Sequence, residues 1–160
     1  MEMSIEGGKD ESTKNARVLL ELAEGALPKT VQNFIALCED EELGYVGTKV
    51  NRIEKKVGIC IGAAGMYCHP SVSPTGIFED EGHFISHTKP GIISMMSPGV
   101  DKNDSRFVIT TGDAPQLDGK FVAFGRVLED ESGVLDAVQK IFTKRGEPSL
   151  DINIVGCGVL

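Results

Sequence analysis

The sequence predicts a mostly β fold, a barrel or sandwich of antiparallel strands accompanied by two helices. About eight short runs rich in β-branched, aromatic and other apolar residues recur along the chain. Turn-forming residues separate these runs, in keeping with nineteen glycines and seven prolines among 160 residues. Only two segments carry the helical spacing of a buried face. Short strands joined mostly by turns are typical of an antiparallel barrel whose ends need covering.

The predicted strands are spread over the whole chain. They cover residues 1–5, 17–22, 49–53, 57–61, 91–96, 106–110, 122–127 and 150–160. The first alternates loosely, as an edge strand can, and the last reads as a buried strand. Polar turn chemistry fills 7–15 and 97–105, and the glycines and prolines of 62–76 predict a long loop.

Two helices are predicted from apolar spacing and from the residues that begin and end them. Pro28 opens the first helix at a position where proline is tolerated, and the acidic run 39–42 is expected to end it. The buried face of this helix comprises Val31, Phe34, Ile35 and Cys38. Ser132 is predicted to cap the second helix, and Arg145-Gly146 to close it. The apolar stripe of the second helix comprises Val134, Leu135, Val138 and Ile141.

Length and charge limit the classes of protein that this chain can represent. At 160 residues it is expected to form one domain, residues 1–160. Sixteen basic against 24 acidic residues give a net charge of −8, which disfavours a nucleic-acid partner. No signal peptide and no apolar run long enough to span a bilayer are present, so the sequence predicts a cytoplasmic protein with no membrane partner. The cysteines are then expected to stay reduced: Cys38, Cys60, Cys68 and Cys157.

The region 105–127 carries a motif that resembles the cyclophilins. A strand at 106–110, a loop ending in Leu-Asp-Gly-Lys at 117–120, and a run ending in Phe-Gly-Arg-Val at 124–127 follow one another. Cyclophilins carry Ser-Gln-Phe-Phe-Ile, then Trp-Leu-Asp-Gly-Lys-His, then Val-Val-Phe-Gly-Lys-Val. Further blocks at family spacing are LPKTVQNFIALC (27–38), GYVGTKVNRI (44–53), FEDE (78–81) and HTKPGIISM (87–95).

This resemblance implies a closed eight-stranded antiparallel barrel capped by two α-helices. It also implies a peptidyl-prolyl cis–trans isomerase that binds Xaa-Pro peptides in a surface groove. Uncatalysed rotation of the Xaa-Pro bond takes tens to hundreds of seconds, because the amide has partial double-bond character. A donor aimed at the prolyl nitrogen localises its lone pair and lowers the barrier, so no metal or other cofactor is expected.

The family's catalytic arginine corresponds to Arg52, but most of the groove differs. The expected groove residues are Val57, Gly58, Cys60, Met96, Ser97, Arg106, Val108, Gln116, Leu117 and Phe121. Among the usual groove residues only Arg52 and Leu117 keep the family's residue type. The usual glutamine that steadies the arginine is Cys60, the usual tryptophan is Gln116, and the usual histidine is Phe121. Arg106 is also expected to place a second cation near Arg52.

The loss of aromatic walls predicts weak or absent isomerase activity. A Phe-to-Val change in a closed pocket costs on the order of 1–3 kcal/mol of apolar contact. Two such losses and a displaced donor are expected to reduce catalysis about a thousandfold or more. The alternative is a non-catalytic module that binds a protein partner. Without the tryptophan, cyclosporin binding should be weak or absent, and the protein is expected to be monomeric.

Cys60, Cys68 and His69 are the candidate metal ligands of the sequence. Paired Cys-x-x-Cys spacing is missing and a fourth ligand is not evident in the sequence. Buried or loop thiols therefore explain these residues better than a metal does.

Overall fold

The structure is a computed structural model that describes residues 1–6, 15–62 and 67–160. Two α-helices occur in these ranges, α1 (Pro28–Glu39) and α2 (Val134–Lys140), together with a 3-10 turn (Pro115–Leu117). The strands are β1 (Glu2–Ile5), β2 (Ala16–Arg17), β3 (Leu19–Leu22), β4 (Val50–Glu54), β5 (Gly58–Ile61), β6 (Ile92–Met95), β7 (Phe107–Thr110), β8 (Ala123–Glu129), β9 (Thr143–Lys144), β10 (Glu147–Pro148) and β11 (Ile152–Gly156). The prediction of a mostly β chain with two helices is confirmed. The parts of the predicted turn 7–15 and loop 62–76 that fall at 7–14 and 63–66 lie outside the described residues.

Within the described ranges, the strands pair antiparallel and form three sheets. The largest has six strands in the order β3-β8-β6-β7-β5-β4. A second has the order β11-β1-β2, and β9 with β10 forms a two-stranded hairpin. The first strand is therefore central in its sheet, and its prediction as an edge strand is wrong.

The predicted single closed eight-stranded barrel is not what the described strands form, because all three sheets are open. One break lies at Val18, where the chain changes partner. Its amide hydrogen-bonds the carbonyl of Met1, whereas the amide of Ala23 bonds that of Phe124. The predicted strand 17–22 is therefore divided between two sheets. At the other side, β4 and β11 are joined near their ends by an isolated bridge between Lys49 and Asn153.

A row of four isoleucines crosses the large sheet on its core side. Ile53 lies opposite Ile59, Ile59 opposite Ile109, and Ile109 opposite Ile93. Directly opposite residues in antiparallel strands share one face, so these four side chains form one continuous contact. Each is at most 1% exposed. We call this set the isoleucine row.

Aromatic rings fill the core beside α1. The ring of Phe34 lies 5.2 Å from that of Phe107 and 5.2 Å from that of Phe124, and Tyr45 lies 5.1 Å from Phe107. The Tyr45 hydroxyl donates to the carbonyl of Ser105 over 2.8 Å, which satisfies its polar end. The apolar spacing that predicted α1 thus places its buried face against the sheet.

α1 begins at Pro28 and ends at Glu39, as the sequence predicted, and both helices carry carboxylate caps that the sequence did not reveal. Glu81, distant in sequence, accepts hydrogen bonds from the amides of Lys29 and Thr30 at the start of α1. Asp130 does the same for Val134 and Leu135 at the start of α2. A carboxylate at a helix N-terminus satisfies free amides and complements the helix dipole.

The predicted cap and end of α2 are wrong. Gly133 occupies the cap position with φ of 65°, and the Ser132 hydroxyl has no hydrogen-bond partner within the described ranges. The helix ends at Lys140, where Lys55 donates to the carbonyls of Gln139 and Ile141. Arg145-Gly146 instead forms the turn between β9 and β10, with both residues at positive φ.

Candidate functional site

The predicted arginine lies in a second row, parallel to the isoleucine row and on the opposite face of the same strands. Arg52 is opposite Cys60, Cys60 opposite Val108, and Val108 opposite Ser94. Successive residues of a strand point to opposite faces, so this row faces away from the isoleucines. We call these four residues the outer row. The structure therefore brings three of the predicted site residues into register across three strands.

A β-bulge in β4 determines where Arg52 points. The register shifts between Val50 and Arg52, so the strand buries Val50 and exposes both Asn51 and Arg52. Bulges commonly re-aim side chains beside functional sites. The sequence alone could not place this irregularity, since 49–53 reads as an uninterrupted strand.

The guanidinium of Arg52 is held by an acidic neighbour that sequence reasoning missed. Its Nε lies 2.6 Å from Oε1 of Glu54, two residues along the same strand. This hydrogen bond, together with the charge of Glu54, raises the pKa of Arg52 above its ordinary value. Arg52 also lies over the β9–β10 turn, since a Cβ added at Gly146 would come within 3.1 Å of its side chain. The period of two along a strand is the signal that could have found Glu54.

Val108 fills the place that a side chain at position 58 would occupy. A Cβ added at Gly58 would lie 2.5 Å from Cγ2 of Val108 and 2.9 Å from the carbonyl oxygen of Ile109. Contacts this short are not tolerated by real side chains without a shift of the neighbours. The small residue at 58 and the branched residue at 108 are thus sterically matched.

Cys60 lies between Arg52 and Val108 and is almost fully buried. Burial is the main cause that raises the pKa of its thiol to about 11. The group is therefore a neutral thiol at physiological pH. It is also a poor substitute for a side-chain amide, because a thiol is only a weak donor and acceptor.

Three predicted residues lie at the ends of β6 and β7. The amide of Met96 donates to the carbonyl of Arg106 over 2.9 Å. Ser97 is nearly buried, and its hydroxyl donates to the carbonyl of Gly99. The guanidinium of Arg106 forks onto Asp104, with Nη2 2.6 Å from Oδ2, and the Asp104 side chain is almost buried.

These ion pairs weaken the repulsion that was expected between Arg106 and Arg52. Asp104 neutralises one guanidinium and Glu54 the other. Two neutralised pairs repel each other far less than two free charges do. Both partners stand two positions from their arginine, so both were open to detection in the sequence.

The remaining predicted residues lie near the turns of the β4–β5 and β7–β8 connections. Val57 closes the β4–β5 turn, with its amide bonded to the carbonyl of Glu54. Gln116 and Leu117 belong to the 3-10 turn, and the amide of Phe121 bonds the carbonyl of Leu117 over 3.0 Å. Gln116 is exposed, whereas Leu117 and Phe121 are partly buried.

A buried histidine anchors the connection that carries these residues. Oδ1 of Asp118 lies 2.8 Å from the amide nitrogen of His87 and 2.7 Å from its Nδ1. The backbone amide of His87, followed by its ring, lowers the pKa of Asp118 below its ordinary value. Because a carboxylate only accepts, Nδ1 carries the proton in this pair. Sequence reasoning found no role for either residue.

The candidate metal ligands are not assembled into a cluster within the described residues. Cys60 lies on β5, Cys68 is hydrogen-bonded to the carbonyl of Ser73, and His69 lies 3.2 Å from Asp40. Neither α-helix in the described ranges is long and apolar enough to cross a bilayer.

A comparison with protein families identifies the chain. The profile of the family described as cyclophilin type peptidyl-prolyl cis-trans isomerase/CLD matches residues 10–159. This match spans nearly the whole sequence, so the chain belongs to that family. The resemblance that the sequence motifs indicated is confirmed, and with it the assignment to the peptidyl-prolyl isomerases, which bind proline-containing peptides.

Proposed function

We propose that this member of the cyclophilin family binds Xaa-Pro segments over the outer row and isomerises them slowly, with Arg52 as the donor to the prolyl nitrogen. The observation that carries the proposal is the register of Arg52, Cys60 and Val108 on the face of the sheet opposite the isoleucine row. Arg52 is exposed on this face, whereas Cys60 and Val108 are only 6% and 3% exposed, so a peptide would contact the guanidinium directly beside a tightly packed apolar pair.

The chemistry requires only a fixed hydrogen-bond donor and an apolar pocket for the proline ring. A hydrogen bond to the prolyl nitrogen removes conjugation from the amide and stabilises the twisted transition state. Arginine suits this role because it stays charged at every working pH. The contact with Glu54 engages Nε, and the two terminal NH2 groups carry four further N–H donors.

Three features support the proposal that the rate is low. The family's two phenylalanine positions carry Val57 and Val108 here, and Val108 packs against Gly58, where the family has a methionine. Cys60 replaces the amide that would orient the arginine. Glu54 competes with the substrate for the guanidinium. Loss of two aromatic contacts at about 1–3 kcal/mol each reduces the rate roughly a thousandfold, if both contacts act in the transition state.

Two measurements test this proposal together. In a chymotrypsin-coupled assay with an Xaa-Pro peptide, we expect a rate well below that of an ordinary cyclophilin. In an NMR titration with the same peptide, we expect amide shifts concentrated at residues 50–60 and 106–110. A coupled rate equal to that of an ordinary cyclophilin would refute the slow-enzyme proposal, and shifts confined to other surfaces would refute the binding site.

The absent tryptophan extends the proposal to cyclosporin. Gln116 is exposed on the 3-10 turn and offers no indole face or N–H to the drug. We expect calorimetry to detect weak binding or none. Binding as tight as that of an ordinary cyclophilin would show that the turn does not control drug recognition here.

A non-catalytic module is the second candidate. The matched pair Gly58 and Val108 favours this candidate. Val108 fills the space beside Gly58, so the surface can bind a partner without accommodating a twisted prolyl bond. Saturable peptide shifts without any acceleration of prolyl exchange would decide for this function over the first.

A further inference from the structure

A serine, a histidine and an aspartate form a continuous hydrogen-bonded chain at the end of α1. Oγ of Ser71 lies 2.6 Å from Nδ1 of His69. Nε2 of the same ring lies 3.2 Å from Oδ2 of Asp40, which directly follows α1. A nucleophile beside a base that a third group orients is the arrangement used in nucleophilic catalysis. We call these three residues the Ser71 triad.

The end of α1 fixes the histidine at two points. The side-chain oxygen of the buried Asn33 accepts the backbone amide of His69 over 2.8 Å, and Asp40 contacts the ring. Asn33 and Asp40 are seven residues apart, so they lie two turns apart on one side of the helix. Oδ1 of Asp40 accepts the amides of Glu42 and Leu43 over 2.8 and 2.7 Å. The Leu43 amide, followed by the Glu42 amide and His69, lowers the pKa of Asp40 below its ordinary value.

The hydrogen bonds determine which ring nitrogen of His69 is the base. The backbone amide of Ser71 donates to Nδ1 over 3.2 Å, and an amide N–H can only donate. In the neutral ring Nδ1 therefore carries the lone pair, and Nε2 carries the proton that Asp40 accepts. The Ser71 hydroxyl donates to that same lone pair. A general base needs this tautomer, with its lone pair directed at the nucleophile.

The nucleophile is open to solvent and lies next to a cavity. Ser71 is exposed, whereas the side chains of the histidine and the aspartate are 18% and 27% exposed. A cavity of about 600 Å³ is lined by Pro70, the residue between the base and the nucleophile, and by apolar side chains that include Leu43 and Val46. Cavities of this size hold small organic ligands. None of the outer-row residues lines it, so the triad is separate from the proposed peptide site.

The backbone around Ser71 limits which substrates can react. The amides of Val72 and Ser73, which follow it, both bond the carbonyl of His69. They are therefore not available to a developing oxyanion, and each missing donor costs roughly 100- to 1000-fold in rate. The site thus suits esters whose leaving group needs little assistance, such as aryl esters of short carboxylic acids.

We propose that Ser71 is a nucleophilic centre that accepts the acyl group of an activated ester and releases it slowly to water. His69 is the general base and acid of this reaction, and Asp40 is the positioning residue that orients the ring. The acyl group would occupy the cavity beside Pro70.

The reaction balances as ester plus water giving carboxylic acid plus phenol. Oγ of Ser71 attacks the ester carbonyl carbon, and its proton moves to Nδ1 of His69. The tetrahedral intermediate expels the aryloxide, which takes that proton, and Ser71 is left acylated. A water molecule then gives a proton to Nδ1 and attacks the acyl carbon. The bond between that carbon and Oγ breaks, Oγ regains the proton, and the carboxylic acid leaves.

The first test is covalent labelling of the full chain with a fluorophosphonate. Attack of Oγ on phosphorus expels fluoride and leaves a stable adduct, which peptide mapping by mass spectrometry should place on Ser71. Ser73 is an internal comparison, because its hydroxyl lies 2.8 Å from that of Thr75 and not beside an imidazole. Tyr67, which is 66% exposed, reports labelling through exposure alone. An unlabelled chain, or one labelled at Ser73 or Tyr67 in preference to Ser71, would overturn the proposal.

Hydrolysis of p-nitrophenyl acetate measures turnover. We expect the parent chain to release a burst of p-nitrophenol before a slow steady rate, and Ser71→Ala to release no burst. His69→Gln should lower the burst rate by about 100-fold or more. His83→Gln is the matched control and should keep the burst, since His83 lies 3.9 Å from Asp80 but its Nδ1 faces a carbonyl and not a hydroxyl. A burst that survives in Ser71→Ala would contradict the proposal.

Asp40→Asn distinguishes positioning of the ring from support of the fold. Oδ1 is held by two backbone amides, so the new NH2 group takes the place of Oδ2 and opposes the proton on Nε2. We expect NMR of the imidazole nitrogens to show loss of the Nε2-protonated form of His69. The labelling rate should fall about tenfold or more, while the circular dichroism spectrum stays unchanged. An unchanged tautomer together with an unchanged labelling rate would refute the role of Asp40.

Discussion

The isoleucine row and the outer row lie on opposite faces of the same strands, one residue apart, and they differ completely in chemistry. One consists of Ile53, Ile59, Ile109 and Ile93, a continuous apolar contact against the core. The other consists of Arg52, Cys60, Val108 and Ser94 and lies outside that core cluster. The same backbone register thus supports both a uniform packing surface and a chemically mixed one.

This difference shows which part of the sequence maintains the fold and which part is free to change function. Packing requires apolar residues of similar volume in the isoleucine row, because interiors are close-packed. The outer row lies outside that apolar cluster and mixes an exposed arginine with a thiol, a valine and a serine, so its packing places fewer demands on residue type. A family member can therefore keep its architecture while the groove face changes, which is the pattern we propose for this chain.

The largest expected effect is on the isoleucine row. Ile59→Ala should lower the free energy of unfolding by about 2–5 kcal/mol, since it leaves a cavity in a fully buried contact. Urea denaturation followed by circular dichroism measures this loss. Its outer-row neighbour provides the control, because Cys60→Ala removes a single sulfur and should cost clearly less. An equal or larger loss for Cys60→Ala would break the distinction between the two rows.

A smaller loss of stability is expected at the sterically matched pair of Gly58 and the outer-row residue Val108. Gly58→Ala should destabilise the protein by about 1–3 kcal/mol, because the new methyl group collides with Val108 and the Ile109 carbonyl. Adding Val108→Ala should recover part of this cost, since Cγ2 is removed. Urea denaturation of both single variants and the double variant measures the coupling. Purely additive costs would show that the two positions are not matched.

The contribution of the Asp118–His87 contact to stability should depend on pH, whereas that of the isoleucine row should not. The folded pKa of Asp118 is lowered from an ordinary value of 3.8 by the His87 amide. Its contribution to stability is therefore complete above that value and is lost as the pH falls through the lower folded pKa. Asp118→Asn should thus be destabilising at neutral pH.

Urea denaturation between pH 7 and pH 3 distinguishes the two kinds of contact. The difference in unfolding free energy between the parent chain and Asp118→Asn should shrink as the pH falls below 3.8. The difference for Ile59→Ala should stay constant, since no proton is bound or released there. If the difference in unfolding free energy for Asp118→Asn stays constant with pH, the charge of Asp118 does not contribute to stability.

The sequence predicted those parts of the molecule that depend on local pattern. The spacing around Phe34 placed α1, and the apolar runs placed β7 and β8. The parts it missed depend on contacts between distant residues. Glu81 and Asp130 cap the helices from outside the helical segments. Serine is a favourable cap residue, and its presence at 132 does not reveal that Asp130 caps α2 in its place.

The candidate site was predictable as a set of positions but not as an arrangement. The family blocks pointed to Arg52. The bulge at Asn51 depends on strand register, and the hydrogen bond between Arg52 and Glu54 depends on side-chain rotamers. For the same reason the change of sheet at Val18 could not be seen, since a strand pattern does not specify which neighbour pairs with it.

The smallest expected effect concerns the ion pair in the outer row. Glu54→Gln should weaken the hydrogen bond to the guanidinium by removing the charge of its acceptor, and thereby raise the rate of prolyl exchange. Because exposed pairs contribute at most about 1 kcal/mol, the increase should be no more than roughly fivefold. Glu21→Gln is the matched control, since Glu21 on β3 likewise accepts from Nε of an exposed arginine, Arg126 on the paired strand β8. A rate that falls in Glu54→Gln would mean that Glu54 positions Arg52 productively.

The most direct test of the proposed role of Arg52 is two-dimensional NMR exchange on an Xaa-Pro peptide with the parent chain, Arg52→Ala and Arg126→Ala. The two arginine side chains are 54% and 51% exposed, and each is bound at Nε by a glutamate. We predict that the parent chain and Arg126→Ala accelerate exchange equally, and that Arg52→Ala does not accelerate it. Exchange that persists unchanged in Arg52→Ala would contradict the assignment of Arg52 as the catalytic donor.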